Sequence, residues 1–365
     1  MPLSKIQDIG NQVSPNLGRR NIIINGGMQL AQRATSTTST GYGSLDRFRT
    51  AASNFDNLAY TWAQDNTVPT GEGFSKSAKL TVTTAESALA ADELLRVIHR
   101  IEGQNLQQAS WGTSGAKPLT LSFYVRSSVT GTYAVEFRMN AGGNNSLSKN
   151  YTISAANTWE RKTITFPANT STNFNNAATE GCELAWYLAA GTNFTSGSLA
   201  SDYGSNATNT RAAGQTANVA SANSNTWFIT GVQLEVGDTA TEFQHRSFEE
   251  ELASCQRYFY KAVSGINKQF GVGTYYATSL ITSTLTFPTT MRTPPTITVG
   301  TGTNYYVAYG NGQGDAFDTW DNTPRGNENY IALDVTHDGA SGTAGHGCTL
   351  ATNHANAYIH CDAEL

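Results

Sequence analysis

The sequence predicts an all-β protein, built as a jelly-roll β-sandwich followed by a linking helix and a smaller C-terminal β domain. Two neighbouring segments alternate apolar and polar residues, with apolar positions at Leu119, Leu121, Phe123 and Val125, and then at Tyr133, Val135, Phe137 and Met139. The short connection 127–131 makes them a hairpin with one buried face. Similar alternation at 184–188, 227–236 and 331–335, between turn-forming residues, predicts many short strands, as in sandwiches and jelly rolls.

The composition suits an extracellular β-protein. Only 14% of the 365 residues are charged, and Ser, Thr, Asn, Gln and Gly supply the polar surface instead. Thr is tolerated in strands, and Gly and Asn serve turns. The formal net charge is −5 and no basic cluster occurs. These features argue against nucleic acid or an anionic membrane surface as a partner.

The first residues contain no apolar signal core, and no apolar run approaches the roughly 20 residues that span a bilayer. We therefore expect a protein made in the host cytoplasm, without a signal peptide and without membrane insertion. The cysteines are Cys182, Cys255, Cys348 and Cys361, and they show no CxxC spacing. We expect reduced thiols, with a Cys348–Cys361 bridge as the open alternative.

Four parts follow one another along the chain. Residues 1–20 form a leader in which Ile6, Ile9 and Val13 recur at helical spacing, which predicts a short docking stripe. Residues 21–246 are the predicted jelly-roll domain. Residues 264–365 are a smaller β domain.

Residues 247–263 are predicted to be the linking helix. Ser247 is suited to cap its start, and three glutamates occupy the first turn, where the helix dipole favours negative charge. An apolar stripe is expected along one face. Its members are Phe248, Leu252, Cys255 and Phe259.

Several blocks of sequence resemble a module common in tail-fibre and structural proteins of marine bacteriophages. They are RNIIINGGMQ (20–29), AQR (31–33), LDRF (45–48), FITGVQLEVG (228–237), ATEF (240–243), EEL (250–252) and CQRY (255–258). The opening and closing blocks are also similar to strands of jelly-roll carbohydrate-binding modules. A further segment, FPTTMRTPPT (287–296), resembles the start of the C-terminal domain in these phage proteins.

The resemblance implies a jelly-roll fold, a place on the virion surface and a role in attachment. The function expected from it is that of a non-enzymatic tail fibre or adhesin that binds host polysaccharide or lipopolysaccharide. The expected partners also include a homotrimer of the chain and other tail or capsid proteins. One alternative is a structural decoration or connector protein of head or tail without a ligand. A polysaccharide depolymerase is the third reading.

No catalytic residue, metal site or cofactor is predicted. Four of the six histidines lie near the C-terminus, but the spacing of His346, Cys348, His354 and His360 matches no standard zinc module. Asp315, Asp318, Asp321 and Glu328 are the carboxylates considered for glycoside cleavage or for calcium. They lie in or beside a Gly-rich stretch that is typical of a loop.

Glycan binding is the chemistry that the remaining residues favour, because aromatic rings stack on a pyranose while polar groups bind its hydroxyls. In jelly rolls such a platform lies on the concave sheet or in loops at one end. The candidate residues are Trp320, Tyr306, Asp318, Asp321, Arg325, Trp62 and Trp111. Core packing is the alternative for each tryptophan, and the favoured one for Trp186 and Trp227. The polar stretch 191–225 is expected to be functional or to be held by a partner.

Overall fold

The structure is a computed structural model that describes residues 19–140, 145–205, 207–310, 312–337 and 342–365. The predicted docking residues Ile6, Ile9 and Val13 lie outside the described residues. The chain divides into two compact units, Met1–Arg246 and Ser247–Leu365. The all-β prediction is confirmed, since both units are built of antiparallel sheets.

The first unit is a sandwich of two six-stranded sheets. Its strands are β1 (Ser36–Thr37), β2 (Phe48–Ser53), β3 (Ala59–Asp65), β4 (Ser77–Thr84), β5 (Leu94–Glu102), β6 (Leu119–Ser127), β7 (Gly131–Met139), β8 (Asn145–Ile153), β9 (Glu160–Phe166), β10 (Glu180–Ala190), β11 (Gly204–Ser205) and β12 (Thr226–Val236). Sheet A has the order β1-β3-β4-β12-β6-β9, and sheet B has the order β11-β8-β7-β10-β5-β2. Short helical turns lie at Gly103–Ala109, at Thr192–Thr195 (α1), at Thr208–Thr210 and at Val219–Ser221.

The core of this unit lies between the two sheets and is rich in aromatic residues. Alternating side chains of β6 and β7 point into it, as the period-2 pattern predicts. Trp62, Phe123, Phe137, Trp186 and Trp227 are all fully buried there. Trp186 and Trp227 are therefore core residues, as expected.

A bulge in β12 changes which residues face the core. Trp227 and Ile229 point inward before it, and Val232 and Leu234 point inward after it. The pairing of β12 with β6 shifts between Thr230 and Gln233. Gly231 lies at this shift with a φ of 61°, a left-handed conformation that glycine adopts without strain.

The first residues of the described chain close against β12. The backbone N–H of Ile22 donates to the carbonyl of Leu234 at 2.9 Å. The side chain of Asn21 donates to the carbonyl of Val232 and accepts from the N–H of Leu234. This segment therefore completes the sandwich although it forms no regular strand.

The second unit begins with a helix that is shorter than predicted. The helix α2 spans Phe248–Gln256, and Ser247 caps it in a capping box with Glu250. The prediction of a helix to residue 263 is wrong, because Phe259–Ser264 form a strand, β13. Aromatic and β-branched side chains favour a strand there, and its backbone pairs with a neighbouring strand. Of the predicted apolar stripe, Cys255 and Phe259 are buried and Leu252 is partly buried, whereas Phe248 is 52% exposed.

Two sheets complete the second unit. The strands are β13, β14 (Gln269–Ala277), β15 (Leu280–Thr286), β16 (Thr296–Val299), β17 (Tyr306–Gly310), β18 (Gln313–Phe317), β19 (Asp321–Gly326), β20 (Tyr330–Thr336), β21 (Gly347–Thr352) and β22 (Tyr358–Asp362). Their orders are β13-β22-β16 and β18-β17-β21-β14-β15-β20-β19. Among the described residues, no helix is long and apolar enough to cross a membrane.

Candidate functional site

Three of the aromatic residues predicted to bind sugar are core residues. Trp62 and Tyr306 are fully buried, and Trp111 is 4% exposed. Trp111 stacks on Phe174 at a centroid distance of 4.8 Å and donates its indole N–H to the carbonyl of Lys117. A ring without an exposed face cannot stack on a pyranose. The prediction that these three rings bind glycan is therefore corrected.

Trp320 is also buried, but it lines a cavity of about 410 Å³ in the second unit. The cavity lies between β16, β19 and β20, and polar and apolar groups contribute equally to its lining. Asp321 shares this lining with Trp320, whereas Asp318 and Arg325 lie outside it. The indole N–H of Trp320 has no hydrogen-bond partner among the described residues. The ring packs against Phe317 at 4.9 Å, so its main contacts are those of a core residue.

The predicted polar partners of Trp320 already bind groups of the protein itself. Asp318 accepts a hydrogen bond from the backbone N–H of Asn304, and Asp321 accepts one from the backbone N–H of Thr336. Arg325 forms an ion pair with Asp334. These contacts hold loops and strand ends in place. Asp321 lies opposite Asp334 in the pairing of β19 with β20, so Asp321 and Arg325 both adjoin Asp334, whereas Asp318 binds the loop at Asn304.

Two of the C-terminal histidines pack closely against aromatic rings. His354 stacks on Tyr305 at 4.3 Å, and His360 packs against Phe259 and Tyr358. All four cysteines are buried and none forms a disulfide. In the described part of the chain, no three His, Cys, Asp or Glu side chains are grouped so as to hold a metal ion.

A cluster of arginines and glutamates lies on the outer face of sheet B. We call it the arginine–glutamate cluster, and its members are Arg49, Arg96, Arg100, Arg138, Glu180 and Glu183. Glu183 on β10 lies directly opposite Arg100 on β5 and Arg138 on β7. Its carboxylate is 3.1 Å from a guanidinium nitrogen of each, and 3.4 Å from Nη1 of Arg96. Strand register therefore places three guanidinium groups around one carboxylate.

The charges of the cluster do not cancel. Four guanidinium groups face two carboxylates, which leaves two positive charges in excess in a chain of net charge −5. Burial raises the pKa of Glu180, and the charge of Arg100 opposes that rise. Burial alone would lower the pKa of Arg100. The negative charges of Glu180 and Glu183 have the larger effect, so the pKa of Arg100 is raised. The guanidinium group of Arg100 therefore remains cationic at any physiological pH.

An aromatic ring lies at one edge of the cluster. The guanidinium carbon of Arg49 is 5.5 Å from the ring centroid of Tyr42, and that of Arg33 is 5.7 Å from it. Tyr42, Arg33 and Arg49 are each only partly buried. Cation–π contacts of this kind orient the guanidinium groups.

The polar stretch 191–225 packs on the outer face of sheet B, beside the arginine–glutamate cluster. Phe194 and Ala212 pack on the outer face of sheet B with Ile98 and Tyr187. Arg211 forms an ion pair with the buried Glu136 at 2.9 Å. Contacts within the first unit therefore hold this stretch in place. It covers part of the outer face of sheet B, next to the arginine–glutamate cluster.

Sequence reasoning missed the cluster, although a signal was present. The alternation of Leu184, Trp186 and Leu188 identifies the inward face of β10, so Glu183 must point outward. Charged residues also occupy outward positions of β5 and β7. The strand pairing that unites them joins residues about 80 positions apart in the chain and cannot be read from local pattern.

No family model and no curated protein matches this chain. Among solved structures, it is similar to the enzymatically active domain of tailspike protein 4 of bacteriophage CBA120, at 13% identity and a TM-score of 0.33. That match covers 59% of this chain and 21% of the other, so the chain spans about a fifth of the tailspike protein's length.

Two further likenesses are to Clostridium thermocellum modules. The family 11 carbohydrate-binding module of the cellulase Lic26A-Cel5E is 7% identical, with 56% of this chain and 96% of that chain covered and a TM-score of 0.29. The C-terminal family 22 carbohydrate-binding module of Xyn10B is 9% identical, with 58% and 100% covered and a TM-score of 0.29. All three are distant likenesses.

Proposed function

We propose that the protein binds an acidic glycan through the arginine–glutamate cluster on sheet B. The observation that carries the proposal is the arrangement of Arg96, Arg100 and Arg138 around the single carboxylate of Glu183. Guanidinium groups fit carboxylate and sulfate geometry and also donate to hydroxyls. The excess positive charge favours a polymer that carries uronate or sulfate groups.

The arginines have hydrogen-bonding capacity that the protein does not use. In the described chain, the Nε atoms of Arg49, Arg96 and Arg138 and one carboxylate oxygen of Glu180 are buried without a hydrogen-bond partner. Buried polar atoms are usually satisfied, so this group of exceptions sets the cluster apart from an ordinary ion-pair network. A ligand would meet the exposed parts of the guanidinium groups, since the side chains of Arg96, Arg100 and Arg138 are partly exposed.

The proposal includes a non-enzymatic role. Each carboxylate of the cluster is within ion-pair distance of an arginine, and in this proposal the two carboxylates serve to orient the guanidinium groups. Binding without cleavage suits an adhesin that must stay attached to its target.

The biological setting that we propose is a tail fibre or other surface protein of a phage virion, which attaches to host surface polysaccharide. The phage-like sequence blocks at 20–48 and 228–258 support this setting. A homotrimer would raise the avidity of individually weak glycan contacts, because linked sites bind at high effective concentration.

The test is binding of the full chain to alginate, a polyuronate, and to neutral dextran. We expect retention on alginate that weakens with salt, and little retention on dextran. Arg138→Gln should weaken alginate binding about tenfold, since it removes one charge-assisted contact. Lys268→Gln makes the same charge change at an exposed position in the second unit and should have no effect.

Equal binding of both polymers would contradict the proposal, as would full alginate binding by folded Arg138→Gln protein. Absence of binding to any glycan would favour a connector protein without a ligand. Light scattering measures whether the chain is a trimer, and antibody labelling of particles tests its place on the virion.

A further inference from the structure

A concave site lies on the opposite sheet of the same unit. It encloses about 420 Å³, which is within the roughly 300–1,000 Å³ typical of ligand pockets. We call it the aromatic pocket, and the residues that define it are Glu72, Phe74, Tyr124, Arg161, Glu242 and Phe243. Tyr124 projects from the outward face of β6, and Arg161 lies on the neighbouring β9.

The aromatic rings of the pocket meet as walls rather than as one flat surface. Phe74 lies 5.5 Å from Tyr124 with an interplanar angle of 61°, and 5.0 Å from Phe243 with an angle of 64°. The exposed imidazole of His245 is 4.9 Å from Phe243 at 78°. Rings set at steep angles enclose a compact group on several sides, whereas stacking on a pyranose needs one open face.

The backbone fixes these walls. Gly231, at the bulge of β12, has no side chain, and a Cβ there would lie 2.5 Å from the ring of Phe74. Gly73 has a φ of 77° and lies against the imidazole of His245. These two glycines allow the segment around Glu72 and Phe74 to sit close to the sheet, so the pocket is formed before any ligand arrives.

The charges in the pocket are mainly negative. Two carboxylates, Glu72 and Glu242, line it with one guanidinium group, that of Arg161. Arg161 donates to the carbonyl of Thr241. The carboxylate of Glu242 makes no hydrogen bond or ion pair with any described residue, so its charge is available to a ligand.

The hydroxyl of Tyr124 stays protonated and donates to Glu72. The two oxygens are 2.6 Å apart. Burial, together with the hydrogen bond to Glu72, raises the pKa of Tyr124 to about 12. Tyr124 therefore orients one oxygen of the Glu72 carboxylate.

We propose that the aromatic pocket binds a compact alkylammonium group, as carried by an amino sugar or by a choline head group. The negative faces of aromatic rings attract a cation, and carboxylates complete its charge balance. This inference is independent of the acidic-glycan site, which lies on the other sheet and attracts ligands of opposite charge.

The experiment is calorimetric titration of the full chain with glucosamine, choline and glucose at constant ionic strength. Glucosamine and glucose differ mainly by one ammonium group, so they isolate the effect of charge. We expect glucosamine or choline to bind at least about tenfold more tightly than glucose. A preference for glucosamine identifies an amino sugar as the source of the ammonium group, and a preference for choline identifies a head group.

Two variants test the residues involved. Glu242→Gln should weaken binding of the ammonium ligand about tenfold, and Phe243→Leu, which keeps an apolar side chain but removes the π face, should also weaken it. Glu249→Gln, an exposed charge change in the second unit, is the control. Equal affinity for glucosamine, choline and glucose would overturn the proposal, and so would unchanged affinity of folded Glu242→Gln protein. Alginate binding should be the same in all of these variants.

Discussion

The hydroxyl of Tyr187 donates to the buried carboxylate of Glu136 at 2.6 Å. Arg211, from the polar stretch 191–225, pairs with the same carboxylate. The carboxylate lies on β7, so this contact fastens the stretch to the outer face of sheet B. Burial alone would lower the pKa of Arg211. The electrostatic effects of Tyr187 and Glu136 are larger, so the pKa of Arg211 is raised.

We expect Arg211→Leu to lower the free energy of unfolding by roughly 3–5 kcal/mol, because Glu136 would be left as an unpaired buried charge. Urea denaturation followed by fluorescence measures the change. The double variant Glu136→Gln with Arg211→Gln removes both charges and should recover much of the loss. A change below about 1 kcal/mol in the single variant would mean that the pair behaves as a solvated surface pair.

His99 should make the first unit sensitive to acid. Burial, reinforced by the charge of Arg47, holds the pKa of His99 well below its ordinary value. As the pH falls below about 6.5, the unfolded chain binds a proton at His99 that the folded chain does not bind, so stability falls with pH. The slope from this one group reaches about 1.4 kcal/mol per pH unit.

His99→Gln should remove that part of the slope. The measurement is the free energy of unfolding of wild type and variant between pH 7.5 and 5. Other titrating groups contribute equally to both proteins, so the difference in slope isolates His99. Parallel curves for the two proteins would show that His99 binds its proton with the same pKa in the folded and unfolded states.

Gly231→Ala should displace the ring of Phe74, which lines the aromatic pocket. The added Cβ would meet the ring of Phe74, and alanine is strained at the φ of 61°. We expect a loss of about 1–3 kcal/mol in stability and weaker binding of ammonium ligands. Gly204→Ala is the matched control, because nothing lies within 4 Å of a Cβ at that position. Unchanged ligand affinity in Gly231→Ala protein would mean that Phe74 is not a fixed wall.

Trp320→Ala separates a core role from a sugar-binding role. Since the ring is only 4% exposed, its loss should cost about 3–5 kcal/mol and lower the melting temperature of the second unit. Tyr330→Ala, at a residue that is 41% exposed, should cost less than about 1 kcal/mol. A Trp320→Ala protein of wild-type stability with impaired glycan binding would instead restore Trp320 as a binding residue.

Local pattern was sufficient to predict individual strands of the sandwich and the direction in which their side chains point. The alternation at 119–125 and 133–139 yields β6 and β7 with the expected faces inward. Local pattern failed at 257–263, because the spacing of the aromatic residues there fits both a helix face and a strand. Pairing of this segment with β22 favours the strand.

The candidate sites were harder to predict than the sheets. A tryptophan such as Trp111 can pack in a core or face a ligand, and its Gly-rich neighbours do not reveal that it stacks on Phe174. The arginine–glutamate cluster depends on the register of β5, β10 and β7. The aromatic pocket depends on segments near residues 72, 124, 161 and 243 meeting in space. Such long-range contacts are set by the whole fold.

The hydrogen bonds that join Asn21 and Ile22 to β12 affect how the chain folds. Contacts that join residues more than 200 positions apart can form only after most of the first unit has been synthesised. Proteins dominated by such non-local pairing fold slowly, because loop-closure entropy is lost before the contacts form. On the ribosome, the aromatic core between the sheets therefore stays incomplete until β12, the last strand of the first unit, has emerged.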